Sequence, residues 1–193
     1  FISSDKYPGI NTLLNNLTTE KRIFPFNEIF SKEHISVVEY LKDHSLADAF
    51  NDKQITNKLR LEIIKSQAQY LKAYLSIQIP PDDLKQFCNN VASRLRFTEI
   101  TLEEFRSEFS KQFSFDISPI LNKLYAKKGL ALFHIKDLQA AKISGEKNNY
   151  QIHFKVWNTS KKTGIISFTA QKNNNNLMKK NILIPPGDCQ EVY

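Results

Sequence analysis

Hydrophobic residues recur with a helical period through the first two thirds of the chain. From Pro81 onward, apolar positions follow one another at intervals of three and four, which predicts an amphipathic helix. A spacing of four predicts the longest helix, from Asp52 to about Ile77, and Pro80-Pro81 ends it. Another helix is predicted from Ser31, its N-cap, to about His44. The apolar faces of these three helices comprise, in the same order, Leu84, Phe87, Cys88, Val91, Ala92 and Leu95; Ile55, Leu59, Leu61, Ile63, Ile64, Ala68, Leu71 and Leu75; and Ile35, Val38 and Leu41.

Two further helices are indicated by residues that stabilise helix ends. Thr101 and Glu104 form the capping-box pattern, in which each side chain accepts a hydrogen bond from the other residue's backbone amide. Ser118-Pro119 starts the next helix, because proline has no amide hydrogen to leave unpaired there. Gly129 follows two lysines, as is typical of a helix C-terminus. A short helix over residues 7–17 completes the predicted helical part.

The hydrophobic period changes from helical to alternating after Gly129. Alternation of apolar and polar residues predicts a half-buried strand over residues 150–158. Its apolar positions form one continuous face, which we interpret as core, and they are Tyr150, Ile152, Phe154 and Val156. The other predicted strands are an apolar run over residues 130–135, one that begins at Ile165-Ile166, one over residues 181–184 and one that begins at Val192-Tyr193, with a polar hairpin tip at residues 173–176.

These elements predict an α+β protein with two domains. Residues 1–129 form an N-terminal helical bundle, and residues 130–193 form a partial antiparallel immunoglobulin-like β-sandwich. Strands separated by turn residues at these intervals are typical of such a sandwich, but about five strands are fewer than its usual seven. We therefore expect the sandwich to be incomplete in this chain, or its partner sheet to come from elsewhere.

The chain has 193 residues and a net charge of +7, and most of this excess lies in the predicted β domain. From residue 130 onward there are nine lysines and four acidic residues, which leaves a net charge of +5. A basic domain is attracted to anionic lipid, nucleic acid or an acidic partner. Lysines also occur on sheet surfaces for another reason, since they prevent edge-to-edge aggregation.

The cysteines and the hydropathy of the chain exclude a disulfide framework, a C-x-x-C motif and a membrane span. Cys88 lies on the apolar face of a predicted helix and Cys189 follows a turn, so the sequence has neither a disulfide framework nor a C-x-x-C motif. No apolar run reaches the ~18 residues of a membrane span. The sequence begins with Phe1 rather than methionine, from which we expect an excised or processed piece of a larger protein.

The sequence contains no familiar catalytic motif. H-E-x-x-H, the P-loop, G-x-G-x-x-G and G-x-S-x-G are absent, and the chain has only five glycines. Asp82-Asp83 and Glu103-Glu104 lie in first helical turns, where carboxylates stabilise the exposed amides. Metal-ligand spacing is missing among the histidines, which are His34, His44, His134 and His153. We therefore assign no catalytic, cofactor-binding or metal-binding residue, and we expect this chain not to be an enzyme by itself.

Two further patterns concern nucleic acid and glycans. Aromatic residues interleaved with basic ones are typical of proteins that bind single-stranded nucleic acid. The candidates for such stacking are Phe97, Tyr150, Phe154 and Trp157, beside Lys155, Lys161 and Lys162. The alternation around Phe154 is explained more simply by a sandwich core. Asn16-Leu17-Thr18 and Asn158-Thr159-Ser160 match the acceptor pattern for N-glycosylation.

A series of aromatic, glycine and proline positions extends from residue 96 to residue 187. It comprises Arg96-Phe97, Ile100-Thr101, Glu104-Phe105, Phe109, Phe113 to Pro119, Leu124-Tyr125, Gly129-Leu130, Phe133 to Ile135, Tyr150 to Asn158, Gly164 to Ile166 and Ile182 to Gly187. These positions resemble the end of the catalytic region, and the following β-sandwich, of M1-type (gluzincin) zinc aminopeptidases. Residues 4–11 are similar to a segment of large fusion proteins that join a transporter-type permease to an M1 peptidase-like extracytoplasmic part.

The resemblance implies a structural role rather than a catalytic one. In the family, H-E-x-x-H and a downstream glutamate bind zinc and supply the general base, and the motif is absent here, so zinc would belong to the parent protein only. Tyr125 stands where the family has tryptophan, and Gly129-Leu130-Ala131 stands where it has Gly-x-Pro. The chain would then be a non-catalytic C-terminal module that frames the substrate groove of a larger aminopeptidase-like protein.

The same resemblance implies the partners and the location of this module. The partners are the rest of the parent chain, with its catalytic or pseudo-catalytic domain, and a peptide substrate. The module would lie on the extracytoplasmic side of a membrane, in the periplasm or cell envelope, and would reach the membrane only through the parent. Nucleic acid is not an expected partner.

Two alternatives stay open on the residues alone. A free-standing extracytoplasmic immunoglobulin-like module would bind or adhere through a sheet edge that takes a partner strand, and a hydrophobic edge near Val192 and Tyr193 would favour it. A basic nucleic-acid-binding domain would lose affinity steeply as salt is added.

Overall fold

The computed structural model of the chain describes residues 2–18, 32–94, 99–142, 150–172 and 175–193. Within these residues the protein is a mixture of helices and strands, and its two larger sheets are antiparallel. The chain divides into two compact units, Phe1–Gly129 and Leu130–Tyr193. None of the helices in the described ranges has the length and hydrophobicity needed to cross a membrane. Among the residues named in the sequence analysis, Ser31, Leu95, Arg96 and Phe97 lie outside the described residues.

The helical unit is built around one long central helix. Its helices within the described residues are α1 (Ile10–Thr18), α2 (Lys32–Asp43), α3 (Leu46–Asn51), α4 (Asn57–Leu75), α5 (Pro81–Arg94), α6 (Leu102–Phe113) and α7 (Ser118–Ala126). Two short strands, β1 (Ile2–Ser3) and β2 (Ile100–Thr101), pair in parallel. Helices α1, α2, α3 and α7 all contact α4. The contact surface of α4 is its fully buried stripe of Ile63, Ala68 and Leu71.

The longest predicted helix is wrong at its N-terminus. The sequence predicts a start at Asp52, whereas α4 begins at Asn57, after a non-helical connection over residues 52–56 that follows the separate helix α3. Two caps cause the division. The backbone amide of Asp52 donates to Asp48 O and closes α3, and the Thr56 hydroxyl accepts from the Leu59 amide at 3.1 Å and starts α4.

The predicted buried faces are right for most positions and wrong for three. Leu84, Phe87, Cys88 and Val91 of α5 are buried as predicted, but Ala92 is exposed. Ile35 of α2 and Leu61 of α4 are exposed as well, at 45% and 41%. In α2 the buried side chains are Val37 and Leu41, four residues apart. A helix places residues four apart on the same face, so Val37 and Leu41 form one buried stripe. This stripe is shifted from the predicted one, which included Ile35.

Two helices of this unit carry capping boxes. The predicted box of Thr101 and Glu104 is confirmed: the Thr101 amide donates to Glu104 Oε2 at 2.7 Å, and the Glu104 amide donates to Thr101 Oγ1 at 3.2 Å. The hydrogen bonds that the Thr101 amide and hydroxyl donate to the carboxylate lower the pKa of Glu104. A second box, which the sequence analysis did not identify, joins Ser45 and Asp48 at the start of α3.

The capping carboxylate of Asp48 makes part of the stability depend on pH. The Ser45 amide donates to it at 2.8 Å and the Lys128 ammonium lies 3.0 Å away, and these contacts lower its pKa from 3.8 to about 2. The ionised form therefore stabilises the fold above about pH 4, and this contribution is lost as the pH falls towards 2. We expect Asp48→Asn to lower the free energy of unfolding at pH 7 by up to about 1 kcal/mol, since the group is partly exposed.

Urea unfolding at pH 7 and near pH 2, followed by circular dichroism, measures this effect. The difference between wild type and Asp48→Asn should shrink at the lower pH, because about half of the wild-type carboxylates are then protonated even in the folded state and most of the stabilisation by the ionised form is lost. Ser45→Ala is the matched control, since it removes one partner and keeps the carboxylate, so it should retain more of the pH dependence. An equal difference at both pH values would contradict the role given to Asp48.

The β unit consists of two small antiparallel sheets that share one core. The first contains β3 (Phe133–Lys142), β4 (Tyr150–Asn158) and β7 (Cys189–Val192), in the order β3-β4-β7. The second is the hairpin of β5 (Gly164–Lys172) and β6 (Asn175–Ile184). The buried core comprises Phe154, Val156, Ile184 and Val192, with Phe133, Ile152, Ile166, Phe168 and Ile182 packed against it.

Several predicted strand boundaries are wrong. The strand predicted from Asn181 begins at Asn175, so the predicted hairpin tip belongs partly to β6; the first two residues of that tip lie outside the described residues. The last strand begins at Cys189 rather than at Val192, and the apolar run from Leu130 becomes a strand only at Phe133. Apolar character identifies these strands poorly at their ends, because polar residues extend strands equally well where a neighbouring strand supplies the hydrogen bonds.

The two sheets approach each other closely at Gly164, the first residue of β5. A Cβ at this position would overlap both the Phe133 ring and the Ala131 methyl group. At the other side of the hairpin, Gln190 Nε2 of β7 donates to Leu183 O of β6 at 3.2 Å. At this end of the unit, β5 therefore lies over β3, and β6 lies towards β7.

Candidate binding surface

Exposed apolar side chains are concentrated in the β unit. In the helical unit, the described large apolar residues that are exposed are Ile35, Leu61 and Ile77, and single exposed residues of this kind are normal. The smaller β unit has Leu132, Ile135, Leu138, Tyr150, Trp157 and Tyr193. These residues do not form one patch: Ile135 and Tyr150 lie on the core-facing side of the first sheet, whereas Trp157 and Tyr193 lie on its other side.

The core-facing side of β3 is not covered. Ile135 lies directly opposite Val156 in the β3–β4 ladder, and directly opposed residues point to the same face of a sheet. Val156 is fully buried, whereas Ile135 is 60% exposed. The hairpin therefore covers β4 at this position, and no described residue covers β3 equally well.

The β5–β6 hairpin also leaves β4 progressively more exposed with distance from Gly164. Val156 and Phe154 are buried, Ile152 is partly buried and Tyr150 is 61% exposed, although all four side chains lie on one face. The prediction that this whole face is core is therefore wrong at Tyr150. The cause is the position of the hairpin: the Phe168 ring of β5 lies over Phe154, with ring centroids 5.4 Å apart, and does not reach Tyr150.

The outer edge of β3 is irregular. The pairing register with β4 shifts between Lys136 and Gln139, and Asp137 within this bulge has a left-handed φ of 56°. Lys155 Nζ of β4 lies 3.5 Å from Asp137 Oδ2 and holds the bulge in place. Bulges and lysines on an edge strand disfavour the addition of a further strand there.

The opposite face of the three-stranded sheet carries a balanced set of charges. Lys155 lies 3.3 Å from Glu191, and the Tyr193 hydroxyl donates to Glu191 at 2.8 Å. The Tyr193 hydrogen bond and Lys155 lower the pKa of Glu191, and its carboxylate raises the pKa of Lys155. The His153 ring stacks on Tyr193, with centroids 4.5 Å apart. Lys155, Glu191 and Asp137 therefore pair with one another on this face.

The residues proposed for nucleic-acid stacking are not brought together. Tyr150 and Phe154 lie on the core-facing side of β4, whereas Trp157 lies on the other side. Lys136 Nζ lies 5.5 Å from the centre of the Trp157 ring, and the indole nitrogen donates to Gly187 O at 3.3 Å. Stacking on successive bases needs aromatic rings along one groove, and these described rings do not form one.

Histidines and carboxylate pairs also lie apart. His44 lies in the connection between α2 and α3 and stacks on Tyr40 of α2. His34 is exposed on α2, and His134 is exposed on β3. Asp82-Asp83 and Glu103-Glu104 lie in the first turns of α5 and α6, as predicted. Within the described ranges, no three histidine, cysteine or carboxylate side chains lie together in a way that would hold a metal ion.

Asn158 is a structural residue that the sequence analysis missed. Its side chain is fully buried at the end of β4, and Nδ2 donates to Lys162 O at 2.6 Å and to Ile184 O at 2.9 Å. The one signal in the sequence is its position two residues after Val156, on the apolar face of the strand. Because Nδ2 is buried and bonded, the acceptor pattern at Asn158 cannot carry a glycan in the folded protein.

No family model, no curated protein and no solved structure matches this chain. Its function is therefore inferred from the geometry of the two units.

Proposed function

We propose that this chain is a non-catalytic binding module of a larger assembly, whose β unit binds an extended polypeptide segment. The observation that carries the proposal is Ile135, which is 60% exposed on the same sheet face as the fully buried Val156. Covering such apolar surface is favourable by about 25 cal/mol for each Å² removed from water. An extended segment suits this surface, because a strand both covers a sheet face and satisfies free strand edges.

The module is then an immunoglobulin-like sandwich that its partner completes. The β unit has a sheet of three strands and a sheet of two strands in the described part of the chain, and about seven strands are usual in that fold. Sandwiches of this kind are common in cell-surface proteins. We accordingly propose the extracytoplasmic side of a membrane as its location, which the sequence resemblance also implies.

A displayed library of random peptides, about twelve residues long, tests this function directly. Peptides are selected on the whole chain and then counter-selected on a variant that carries Ile135→Glu and Leu138→Glu. Both side chains are exposed on β3, at 60% and 69%, so the charges should be tolerated by the fold. We expect enriched peptides with alternating apolar residues that bind wild type and not the variant.

The control variant carries Ile35→Glu and Leu61→Glu, which change equivalent exposed apolar residues in the helical unit. It should bind the selected peptides as well as wild type does. Enriched peptides that bind the β3 variant equally well, or the absence of any peptide that distinguishes the variants, would overturn the proposed function.

A second candidate is the framing module of an M1 aminopeptidase-like parent protein. It is supported by the order of the units, since a helical unit comes first and an antiparallel β unit follows. In that case the extended segment would be a peptide substrate or a strand of the parent. Reading the coding sequence on both sides of this chain tests the candidate: H-E-x-x-H with a downstream glutamate would support an active parent. A parent without any M1-like region would rule the candidate out.

A further inference from the structure

We infer that the bound segment adds as a third strand to the outer edge of β5, over the core-facing side of β3, and that it is acidic. This inference rests on the proposed function and specifies where the segment lies and what its chemistry is. In the described part of the chain this position is vacant, and it is bounded by β5 on one side and by exposed apolar residues below it. Those residues are Ile135 and Ala140 of β3 and Tyr150 of β4.

The course of β5 over the other sheet creates this position. At its start Gly164 packs on Phe133 of β3, whereas Phe168 farther along packs on Phe154 of β4. The hairpin therefore crosses from β3 towards β4, and the far end of β3 loses its cover. Among the described strands β5 pairs only with β6, so its other edge, on the side of β3, still offers backbone hydrogen-bonding groups.

Addition to the edge of β3 itself explains the structure less well. The bulge at Asp137 interrupts that edge near its middle, and an incoming strand would have to follow the interruption. A strand on that edge would also extend the first sheet sideways and leave Ile135 and Tyr150 without cover from above. Addition to β5 satisfies a free edge and buries the apolar face at the same time.

The charges of the β unit favour an acidic segment. The unit carries a net charge of +5. Lys142 lies on the core-facing side of β3 at the open end, directly opposite Tyr150 of β4, whereas Lys180 lies directly opposite Phe168 on β6, beyond β5 from the vacant position. Both are exposed. The carboxylate of Glu191 lies on the other face of the first sheet, and that of Asp188 lies at the closed end beside Asn158. A segment with apolar residues at alternate positions and carboxylates between them is therefore complementary.

The probe is a synthetic peptide of nine residues, the length of β5, in which valine and glutamate alternate. Two further peptides serve as controls: one has lysine in place of glutamate, and one has N-methylated backbone amides, which removes the hydrogen-bond donors. Fluorescence anisotropy with the whole chain measures the dissociation constants. We expect the glutamate peptide to bind at least about tenfold more tightly than either control.

Two variants and a hydrogen-exchange measurement locate the peptide. Ile135→Glu should weaken binding of the glutamate peptide at least about tenfold, because it places a like charge in the vacant position. Leu132→Glu is the matched control: it is equally exposed, at 62%, but precedes the paired part of β3, so binding should be retained. Amide exchange by NMR should show new protection in β5 when the peptide is bound.

The possible outcomes separate the proposed function, which is binding of an extended segment, from the inferred position and acidic chemistry of that segment. Protection in β3 without protection in β5 would keep the proposed function and overturn the position inferred here. Tighter binding of the lysine peptide would overturn the acidic chemistry. Failure of every peptide, together with a dimer in sedimentation experiments that Ile135→Glu dissociates, would make a second copy of this chain the occupant. Failure of every peptide without such a dimer would count against this inference, while the library selection would still decide the proposed function.

Discussion

Replacement of Phe109 by alanine is expected to lower the free energy of unfolding by about 4 kcal/mol. The Phe109 ring on α6 is fully buried, and aromatic neighbours surround it. Ring centroids lie 5.4 Å away for Phe87 of α5, 4.9 Å for Phe113 and 6.0 Å for Phe105. The edge-to-face contact with Phe87, at an interplanar angle of 87°, adds to the hydrophobic free energy. Removing the ring would leave a cavity between α5 and α6 that neighbouring rings cannot fill.

Urea unfolding followed by far-ultraviolet circular dichroism measures this loss, since the signal reports mainly the helices. Phe113→Ala is the matched control on the same helix, because Phe113 is only partly buried and should lose about half as much. If Phe109→Ala does not fold, Phe109→Leu keeps most of the volume and should cost about 1.5 kcal/mol. Equal losses for the Phe109 and Phe113 alanine variants would contradict the packing described here.

The buried aromatic cluster is predictable from sequence, because its information is local. Leu102, Phe105 and Phe109 recur at helical spacing after a capping box that sets where α6 begins. A cap and a period together specify both the start of a helix and the face that it buries. The same reasoning places Leu84, Phe87 and Val91 in the core; in α5 and α6, local pattern and tertiary packing agree.

Predictions fail where burial depends on a distant element. Ile35 is as hydrophobic as Val37, and which of the two is buried depends on how α2 packs against other elements, α4 among them. Tyr150 and Phe154 have the same place in the alternating pattern of β4, yet only Phe154 lies beneath the hairpin. The candidate binding surface is a further case in which exposure depends on a distant element. Its signal is the contrast between Ile135 and Val156, which exists only once the strands are paired.

Asn158 shows a different limit, because a polar residue on an apolar face is not identified by hydrophobicity. Its Oδ1 accepts from the Ser160 amide at 3.1 Å and from the Ser160 hydroxyl at 2.7 Å, while its amide group binds two carbonyl oxygens. Its backbone amide donates to Asp188 O at 2.9 Å, and its carbonyl accepts from the Gly187 amide at 2.9 Å. One side chain and its own backbone thus join β4 to the turn before β5, to the end of β6 and to the turn before β7.

Asn158→Asp is therefore expected to lower the free energy of unfolding of the β unit by at least about 3 kcal/mol. The change alters almost no volume, but it replaces an amide donor by a carboxylate oxygen that faces the carbonyls of Lys162 and Ile184. Asn158→Ala should cost slightly less, since it leaves those carbonyls without a partner but adds no charge. Unfolding is followed by the fluorescence of Trp157, the one tryptophan in the chain and the residue next to the change.

Asn90→Asp on α5 is the matched control, because the same chemical change at an exposed position should alter stability by less than about 0.5 kcal/mol. The comparison separates the buried hydrogen bonds from the added charge, which is common to both variants. A wild-type unfolding midpoint for Asn158→Asp would mean that this side chain does not hold the two sheets together. The vacant position beside β5 would then lose its support as well, since Asn158 holds β6, and with it β5, over the first sheet.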